Sequence, residues 1–450
     1  MKKRKIAFHT FGCKLNFAET SSIARNFTEN NYETVDFKDK ADIYVIHSCT
    51  VTAQAEHKCK AAIRQAQRRN PEASIAVIGC YSQLKPDELL KMPGVNIVLG
   101  NNEKYGLFDI VNSDNSSEHR DDEFHYHGHT LPEIKENKGV SDKEINTSRK
   151  FQPGYSVNDR TRSFFKVQDG CDYFCTYCAI PFARGRSRSA TIAETLSVAQ
   201  QIASSDVREI VLTGVNIGDF GRQHNESFFD LVKELDLLEG IDRIRISSIE
   251  PELLSDDIIM TVGSSNKLMP HFHIPLQSGT DRILSLMKRK YKRELFAARV
   301  NKIKELMPDA CIAADVITGF PGETEEDFND TYDFIKSLQL SYLHVFTYSS
   351  RPGTRSAEME AQVTETEKTR RSRKLHELSD QKKQSFYVQN QGSLQEVLWE
   401  SDIQNGFIFG FTGNYIRCKT PSDFNKVNTI EKVILQSVDN DGVFIVNEAV

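Results

Sequence analysis

The sequence predicts an α/β chain with three folded blocks: an N-terminal parallel α/β domain, a central partial barrel of six βα units, and a small C-terminal β-barrel. Three observations carry this. Up to residue 349, short apolar runs alternate with polar helical patterns, which is the signature of parallel strands joined by helices. Residues 111–160 break the pattern, with few apolar positions and many Asp, Glu, Lys, Ser and Asn, as a linker does. From about residue 392 the period switches to the strict alternation of antiparallel strands. The expected division is therefore 1–110, 111–160, 161–385 and 386–450.

Composition agrees with three domains. A chain of 450 residues, 39% hydrophobic and 27% charged, can bury a sizeable core. No run of about 18 apolar residues marks a membrane span. The basic start Met1-Lys-Lys-Arg-Lys leads into a short apolar stretch rather than a secretion signal, so the cytoplasm is the expected compartment and no membrane partner is implied. Nine cysteines are an odd number without the spacing of a disulfide framework, which fits metal ligation in a reducing compartment. A net charge of -6 argues against nonspecific polyanion binding by the whole surface.

In the first block, residues 5–9, 43–47 and 74–78 read as strands with helical patterns between them. Cys13, Cys49 and Cys80 each follow one of these strands within four residues. Parallel pairing puts all three strand ends on one edge, where open α/β sheets bind ligands, so cysteines distant in sequence would converge. The competing reading is three small buried residues, since free cysteine is often buried. Cys59, on a helical stretch, does not share the strand-end position. His125, His127 and His129 alternate within the expected linker, without a partner ligand nearby in sequence.

In the second block, strands are expected at 164–168, 209–213, 243–247, 271–276, 311–318 and 342–348. At about 31 residues per βα unit, the span 163–349 holds about six units of an eight-unit barrel. The first strand delivers Cys171, Cys175 and Cys178 to the C-terminal mouth, where barrel enzymes place their chemistry. Three thiols spaced C-x3-C-x2-C are one ligand short of a closed four-iron cluster, and an open metal position is a reactive one. A structural zinc site, or a cluster closed by Cys311 or Cys418, is the alternative. The later strands end in loops rich in glycine, hydroxyls and amides: 213–218, 247–251, 275–280 and 318–324. None carries a P-loop or a dinucleotide fingerprint.

Two basic runs stand out, with nine Lys or Arg and one acidic residue over 282–304, and seven against three over 366–384. On an acidic chain they suggest a phosphate-binding face. In the last block, strands at 395–399, 406–411, 415–418, 432–436 and 442–446 suggest a closed barrel of the kind that binds single-stranded RNA. Trp399, Phe407, Phe409, Phe411 and Tyr415 are its available aromatics, of which one or two are expected to face RNA.

The cysteine triplet Cys171-Asp-Tyr-Phe-Cys-Thr-Tyr-Cys, with Tyr177 just before its last thiol, resembles the radical S-adenosylmethionine superfamily. Together with Thr10-Phe-Gly-Cys-Lys-Leu-Asn, Ile180-Pro-Phe-Ala-Arg-Gly-Arg-Ser-Arg-Ser, Leu212-Thr-Gly-Val-Asn-Ile-Gly and His273-Ile-Pro-Leu-Gln-Ser-Gly, nearly the whole chain resembles the radical S-adenosylmethionine methylthiotransferases. The wording of these motifs is most similar to the branch that converts N-6-threonylcarbamoyladenosine at tRNA position 37 to its 2-methylthio derivative. The resemblance implies two 4Fe-4S clusters, a radical-generating one on Cys171, Cys175 and Cys178 and a sulfur-carrying auxiliary one on Cys13, Cys49 and Cys80. It also implies S-adenosylmethionine, used as methyl donor and as radical source, for which Tyr177, Gly214, Asn216, Ser248 and Gln277 are the candidate contacts.

The implied partners are the tRNA anticodon loop, an electron donor such as flavodoxin or ferredoxin, and a sulfur donor; the C-terminal barrel resembles the family's TRAM domain. Enzymes acting on isopentenyladenosine in tRNA, or on a ribosomal-protein aspartate, share the same cysteines and remain open as alternatives. So does a non-catalytic RNA-binding iron-sulfur protein, against which the incomplete triplet argues.

Overall fold

The computed structural model describes residues 3–113, 125–126, 150–157 and 161–448. The chain forms two compact units. The first comprises 1–156 together with 169–172 and 178–187, and the second 157–168, 173–177 and 188–450.

The first unit is built on a parallel sheet ordered β2-β1-β3-β4-β5-β6, from β1 (Lys5–Thr10), β2 (Glu33–Val35), β3 (Ile43–Ser48), β4 (Ser74–Gly79), β5 (Val95–Leu99) and β6 (His125–Tyr126). The sequence reading found only β1, β3 and β4, each of which carries an apolar run. β2 is exposed and three residues long, and β5 is a short run with Asn96 in it, so neither has a strong pattern. Crossover helices α1 (Lys14–Glu29), α2 (Ala53–Arg69), α3 (Cys80–Leu84), α4 (Pro86–Leu90) and α5 (Leu107–Ser113) cover the sheet. Its two faces carry separate apolar clusters, one around Tyr44, Ile63 and Tyr81, the other around Phe27, Ile43 and Leu107. The stretch expected as a linker contributes more than a connection. α5 runs into it, β6 extends the sheet beside β5, and β7 (Gly154–Tyr155) lies on α1, where Arg25 donates to the Tyr155 carbonyl at 2.8 Å. His127 and His129 lie outside the described residues.

In the second unit, β8 (Arg162–Lys166), β11 (Glu209–Thr213), β12 (Arg243–Ile246), β13 (His271–Gln277), β14 (Cys311–Thr318) and β15 (Tyr342–Thr347) run parallel in chain order. Single bridges from Ile244 to Leu268 and from Ser248 to His273 join β12 to β13, which makes a curved six-stranded partial barrel. β9 (Gln168–Asp169), β10 (Arg188–Ser189) and α6 (Ile180–Arg184) lie in the loop after β8. Helices α7 (Ile192–Ala203), α8 (Phe228–Asp236), α9 (Asp256–Ser264), α10 (Asp281–Leu286), α11 (Arg293–Leu306) and α12 (Glu325–Ser337) form the outer layer. Thr191 and Thr324 begin α7 and α12 with full capping boxes, and Ser227, Ser255 and Thr280 cap α8, α9 and α10 by accepting from backbone amides.

After α13 (Glu365–Asn390), the strands β16 (Leu394–Gln404), β17 (Phe407–Thr412), β18 (Arg417–Pro421), β19 (Ile430–Val438) and β20 (Phe444–Glu448) close into a barrel ordered β16-β17-β18-β20-β19. Trp399 is its fully buried centre, donating from the indole nitrogen to Glu431 at 2.9 Å. This barrel is seated on the N-terminal end of the six-stranded one. Arg243 donates to the Phe411 and Glu396 carbonyls at 3.1 and 2.9 Å, and Arg245 to the Gly413 carbonyl at 2.9 Å. Phe411 and Tyr415, which the sequence offered to RNA, stack on each other at 4.8 Å, with Arg162 over one ring and Arg245 over the other. Their π faces are occupied by cations of the same chain.

At the centre of this seat lies Glu209, buried, with Arg245 at 2.9 Å and Arg162 at 3.9 Å. Burial opposes its charge, but Arg245 and then Arg162 outweigh that and hold its carboxyl below the usual glutamate value of 4.5. Replacing Glu209 by Gln leaves Arg245 buried without its carboxylate. The expected loss is about 3–5 kcal/mol in the unfolding transition followed by fluorescence of Trp399, the chain's single tryptophan. The depressed carboxyl also sets the pH dependence. Its stabilisation is present at neutral pH and is lost as pH falls from the usual glutamate range through the lower native value, a loss that Glu209→Gln removes.

Candidate active site

Strand register places the first cysteine set. Thr10 pairs with His47, and Ser48 with Gly79, so β1, β3 and β4 end together. Cys13 follows as the N-cap of α1, Cys49 directly follows β3, and Cys80 opens α3. The strand order 2-1-3-4 has its switch point between β1 and β3, where α/β sheets open a crevice. Gly12 has φ +101°, and a side chain there would meet Cys49 Cβ at 2.8 Å and Sγ at 2.9 Å, so glycine is required for the two loops to approach. Cys49 and Cys80 are buried whereas Cys13 is exposed. Burial pushes the Cys49 thiol up to about 12, with Cys80 adding to the rise and Arg184 acting against it. Cys13 and Cys80 both raise the Cys49 thiol, and such a donor set is one that a cationic centre would relieve, so the residues fit an iron-sulfur cluster.

Beneath them lies a buried polar network. Asn16 donates to the Phe11 carbonyl at 2.8 Å and to the Ser48 carbonyl at 3.1 Å, which ties the Cys13 and Cys49 loops together. Arg184, at the end of α6, donates to Asn16 Oδ1 at 2.7 Å, to Glu19 at 3.1 Å and to Asp169 at 2.9 Å. Lys104 reaches the same Glu19 at 2.6 Å and Asn101 Oδ1 at 2.9 Å. Asn101 in turn donates to the Ala183 carbonyl at 2.9 Å and approaches Cys80 Sγ at 3.6 Å.

The second set lies in the loop after β8. Cys171 donates its amide to the Gly185 carbonyl at 3.1 Å, and Gly170 has φ +73° where a side chain would fall 2.0 Å from the Arg186 carbonyl oxygen. Cys175 is buried, with Arg289 Nη1 at 3.3 Å from its sulfur. Burial raises its thiol, and the Arg289 charge opposes that most strongly. Thr176 is pinned by its amide on the Met287 carbonyl at 3.1 Å and by its hydroxyl on the Leu286 carbonyl at 2.9 Å. Arg289 also pairs with Glu250, whose carboxyl burial pushes up to about 7 despite Arg289. Cys311, the alternative fourth ligand, begins β14 at the opposite end of the barrel strands. It joins Cys418 in the apolar cluster around Trp399, so both are core residues. Cys59 is likewise core, among Tyr44 and Ile63.

The five residues proposed from sequence for S-adenosylmethionine lie in the loop after β8 or at or just after the C-terminal ends of β11, β12 and β13. Tyr177 packs on Phe320 and Met287 with its hydroxyl 3.5 Å from Arg289. Gly214 and Asn216 belong to a loop whose Val215 and Asn216 amides donate to Gln168 Oε1 at 2.9 and 2.8 Å. Asn216 spends its side-chain amide on Asp219 at 3.1 Å. Ser248 bridges to His273, and Gln277 sits at φ +64° beside Tyr291, which donates to the Pro275 and Leu276 carbonyls at 2.7 and 2.8 Å.

Sequence reasoning missed several polar residues here. Arg289 falls within the basic run of 282–304, yet it is buried against Cys175. His273 of β13, Asp315 of β14 and His344 of β15 share one face, with His273 Nε2 2.6 Å from Asp315 and the two histidine rings 5.0 Å apart. Only the strand alternation, followed across three strands at once, signals that face. The basic runs themselves are partly neutralised within the chain. Arg282 pairs with Asp327, Arg299 with Asp256, and Arg370 and Arg371 with Glu325 and Glu367.

Residues 5–100 match the uncharacterized protein family UPF0004, and residues 165–335 match the radical SAM superfamily. The fold is also that of a solved radical S-adenosylmethionine methyltransferase, TsrM from Kitasatospora setae, with a TM-score of 0.56 at 12% identity over 79% of this chain and 74% of that one. Fold and matches thus define a radical S-adenosylmethionine enzyme. The chain is 39% identical over 450 residues to the threonylcarbamoyladenosine tRNA methylthiotransferase MtaB of Bacillus subtilis, covering 98% of this chain and 96% of that relative. It is 38% identical over 432 residues to the MtaB of Aquifex aeolicus, covering 96% and 100%. A tRNA-2-methylthio-N(6)-dimethylallyladenosine synthase of Clostridium tetani is 31% identical over 412 residues, covering 90% and 87%. The chain belongs to the methylthiotransferase family of radical S-adenosylmethionine enzymes.

The burial pattern predicts an order of reactivity in iron-free protein. Iodoacetamide followed by peptide mass spectrometry is expected to label Cys13 before Cys49, Cys59 and Cys80, because only Cys13 of these four is exposed. Simultaneous labelling would contradict the arrangement of the three loops.

Proposed function

We propose that the chain adds a methylthio group to carbon 2 of N-6-threonylcarbamoyladenosine at position 37 of tRNA. The observation that carries the substrate is near-full-length identity of 39% and 38% to two relatives named for that base, against 31% for one named for the dimethylallyl base. The reaction class rests on the two cysteine sets. In this reading Cys171, Cys175 and Cys178 hold the radical-generating 4Fe-4S cluster, and Cys13, Cys49 and Cys80 hold the auxiliary one.

The chemistry explains why such a chain needs no general base at the reacting atom. An aromatic C–H bond has no acidity that a side-chain base could exploit, so a radical source has to replace acid-base machinery. When bound, the two clusters and S-adenosylmethionine supply the radical and the sulfur. The chain's own residues do the holding. Tyr177, Gly214, Asn216, Ser248 and Gln277 orient S-adenosylmethionine along the strand ends. Arg289 keeps a positive charge against the Cys175 sulfur, and the burial of Cys49, Cys80 and Cys175 excludes water from reactive thiolates.

The adenine has to leave the anticodon-loop stack, a cost of a few kcal/mol that is least for a single-stranded base. The C-terminal barrel, read as a TRAM-like RNA-binding module, offsets it. Phe424, 81% exposed on the loop between β18 and β19, is the aromatic best placed to stack a base. The proposed division is 1–110 for the auxiliary-cluster domain, 161–385 for the radical domain and 386–450 for the RNA module, with 111–160 connecting the first two and adding β6 and β7 to the first unit. A reduced flavodoxin or ferredoxin, a sulfur donor and a cytoplasmic location complete the reading.

The test is mass spectrometry of tRNA nucleosides from a deletion strain before and after complementation with this chain. The 2-methylthio derivative of N-6-threonylcarbamoyladenosine is expected to vanish and return. Loss of the isopentenyl derivative or of the ribosomal aspartate modification instead would assign one of the alternatives. Replacing Cys13, Cys49 and Cys80 together by Ala is expected to abolish methylthiolation while reductive cleavage of S-adenosylmethionine, read as 5'-deoxyadenosine formed, stays within about threefold of wild type.

A further inference from the structure

The three cysteine loops of the first unit are separated by more than thirty residues each, and strand register alone does not fix how their thiols face one another. Two ties in the structure do, and both run through neighbouring residues of α6. Asn16 joins the loops of Cys13 and Cys49 through its two amide protons, and its remaining oxygen takes Arg184 Nη2 at 2.7 Å. Cys80 is reached from the other side, by Asn101, which holds the Ala183 carbonyl at 2.9 Å. Residues 183 and 184 thus close a ring around the three loops.

We propose that Arg184 is a positioning residue for the Cys13, Cys49 and Cys80 set, fixing the three loops through Asn16 and Glu19 and holding a buried guanidinium under them. The proposal rests on the reading of these cysteines as the auxiliary cluster ligands. Arg184 is 1% exposed, and its fork is filled: Nη1 donates to Glu19 and Asp169, Nη2 to Asn16 and Glu19. A planar guanidinium can meet these acceptors at once, which a single ammonium cannot do in the same geometry. Glu19 is shared with Lys104, and Asp169 meets Arg184 as well, so two cations and two carboxylates hold this network together. The sulfurs act in the same direction: after Glu19, Cys80 is the group that most favours the charged guanidinium, and Cys13 contributes as well. A fixed cation at this place favours thiolates over thiols and favours the reduced, more negative state of any cluster they hold.

The alternative role is purely structural, as the partner of Glu19 and Asp169 in the fold. Arg184→Lys and Arg184→Met distinguish the two. Each is measured as iron-free protein by thermal unfolding, and as reconstituted protein by iron per chain and by the midpoint potential of the cluster that the Cys13, Cys49 and Cys80 triple-alanine variant lacks. We expect Arg184→Lys to retain more of that cluster than Arg184→Met, because the charge is kept although the fork that meets Asn16 and Glu19 at once is lost. We expect Arg184→Met to fold without iron and then either to lose about four irons per chain or to hold the cluster at a more negative potential. Full iron at unchanged potential in Arg184→Met overturns the proposal. So does failure of iron-free Arg184→Met to fold, or an equal loss of iron in both variants, since either assigns Arg184 to the fold or to packing alone. A triple-alanine variant with undiminished iron would instead sink the auxiliary-cluster reading.

Discussion

Two parallel strands cannot be joined by a hairpin; each needs a crossover, here almost always a helix, that carries the chain back to the starting end. Within each parallel sheet every strand therefore finishes at the same edge of that sheet, and whatever follows a strand is delivered there. In the first unit β1, β3 and β4 deliver Cys13, Cys49 and Cys80. In the second, β11, β12 and β13 deliver the glycine and amide loops while β8 leads into the cysteine triplet. The chemistry of the chain is concentrated by topology before any side chain makes a contact.

Buried charge does the finer placement. Glu209 with Arg245 and Arg162 locks the C-terminal barrel to the base of the six-stranded one, and Glu19 with Lys104 and Arg184 underlies the first cysteine set. Such pairs recover little net stability over apolar packing, because desolvation consumes most of the Coulomb gain. Their value lies in geometry. A guanidinium with fixed acceptors tolerates one arrangement of the backbone around it, whereas an apolar contact tolerates several.

The same buried pairs explain where a reading of charge along the chain misleads. The run from Arg282 to Lys304 looks like a cationic face, but Arg282, Arg289 and Arg299 each meet a carboxylate from another element. Arg289 also lies against a cysteine sulfur. The aromatics of the last block behave similarly. Phe411 and Tyr415 alternate as a binding strand would, and the structure spends them on the seat of the barrel, while Phe424, outside any strand, is the exposed ring.

The sequence by itself determined the three-block α/β architecture, the six parallel strands of the partial barrel and the two cysteine sets. Periodicity and the spacing of Cys171, Cys175 and Cys178 are local properties that survive without tertiary context. Weak strands such as β2 and β5 escaped it because exposure and a polar interruption erase the local pattern. Only the tertiary structure decided that Cys311, Cys418 and Cys59 are core, that Arg184 is buried on Asn16 and Glu19 and Arg289 against the Cys175 sulfur, and that His273, Asp315 and His344 share a face. Those facts depend on which distant segments meet, and a charged residue carries no sign in its own neighbourhood of whether water or a carboxylate will face it.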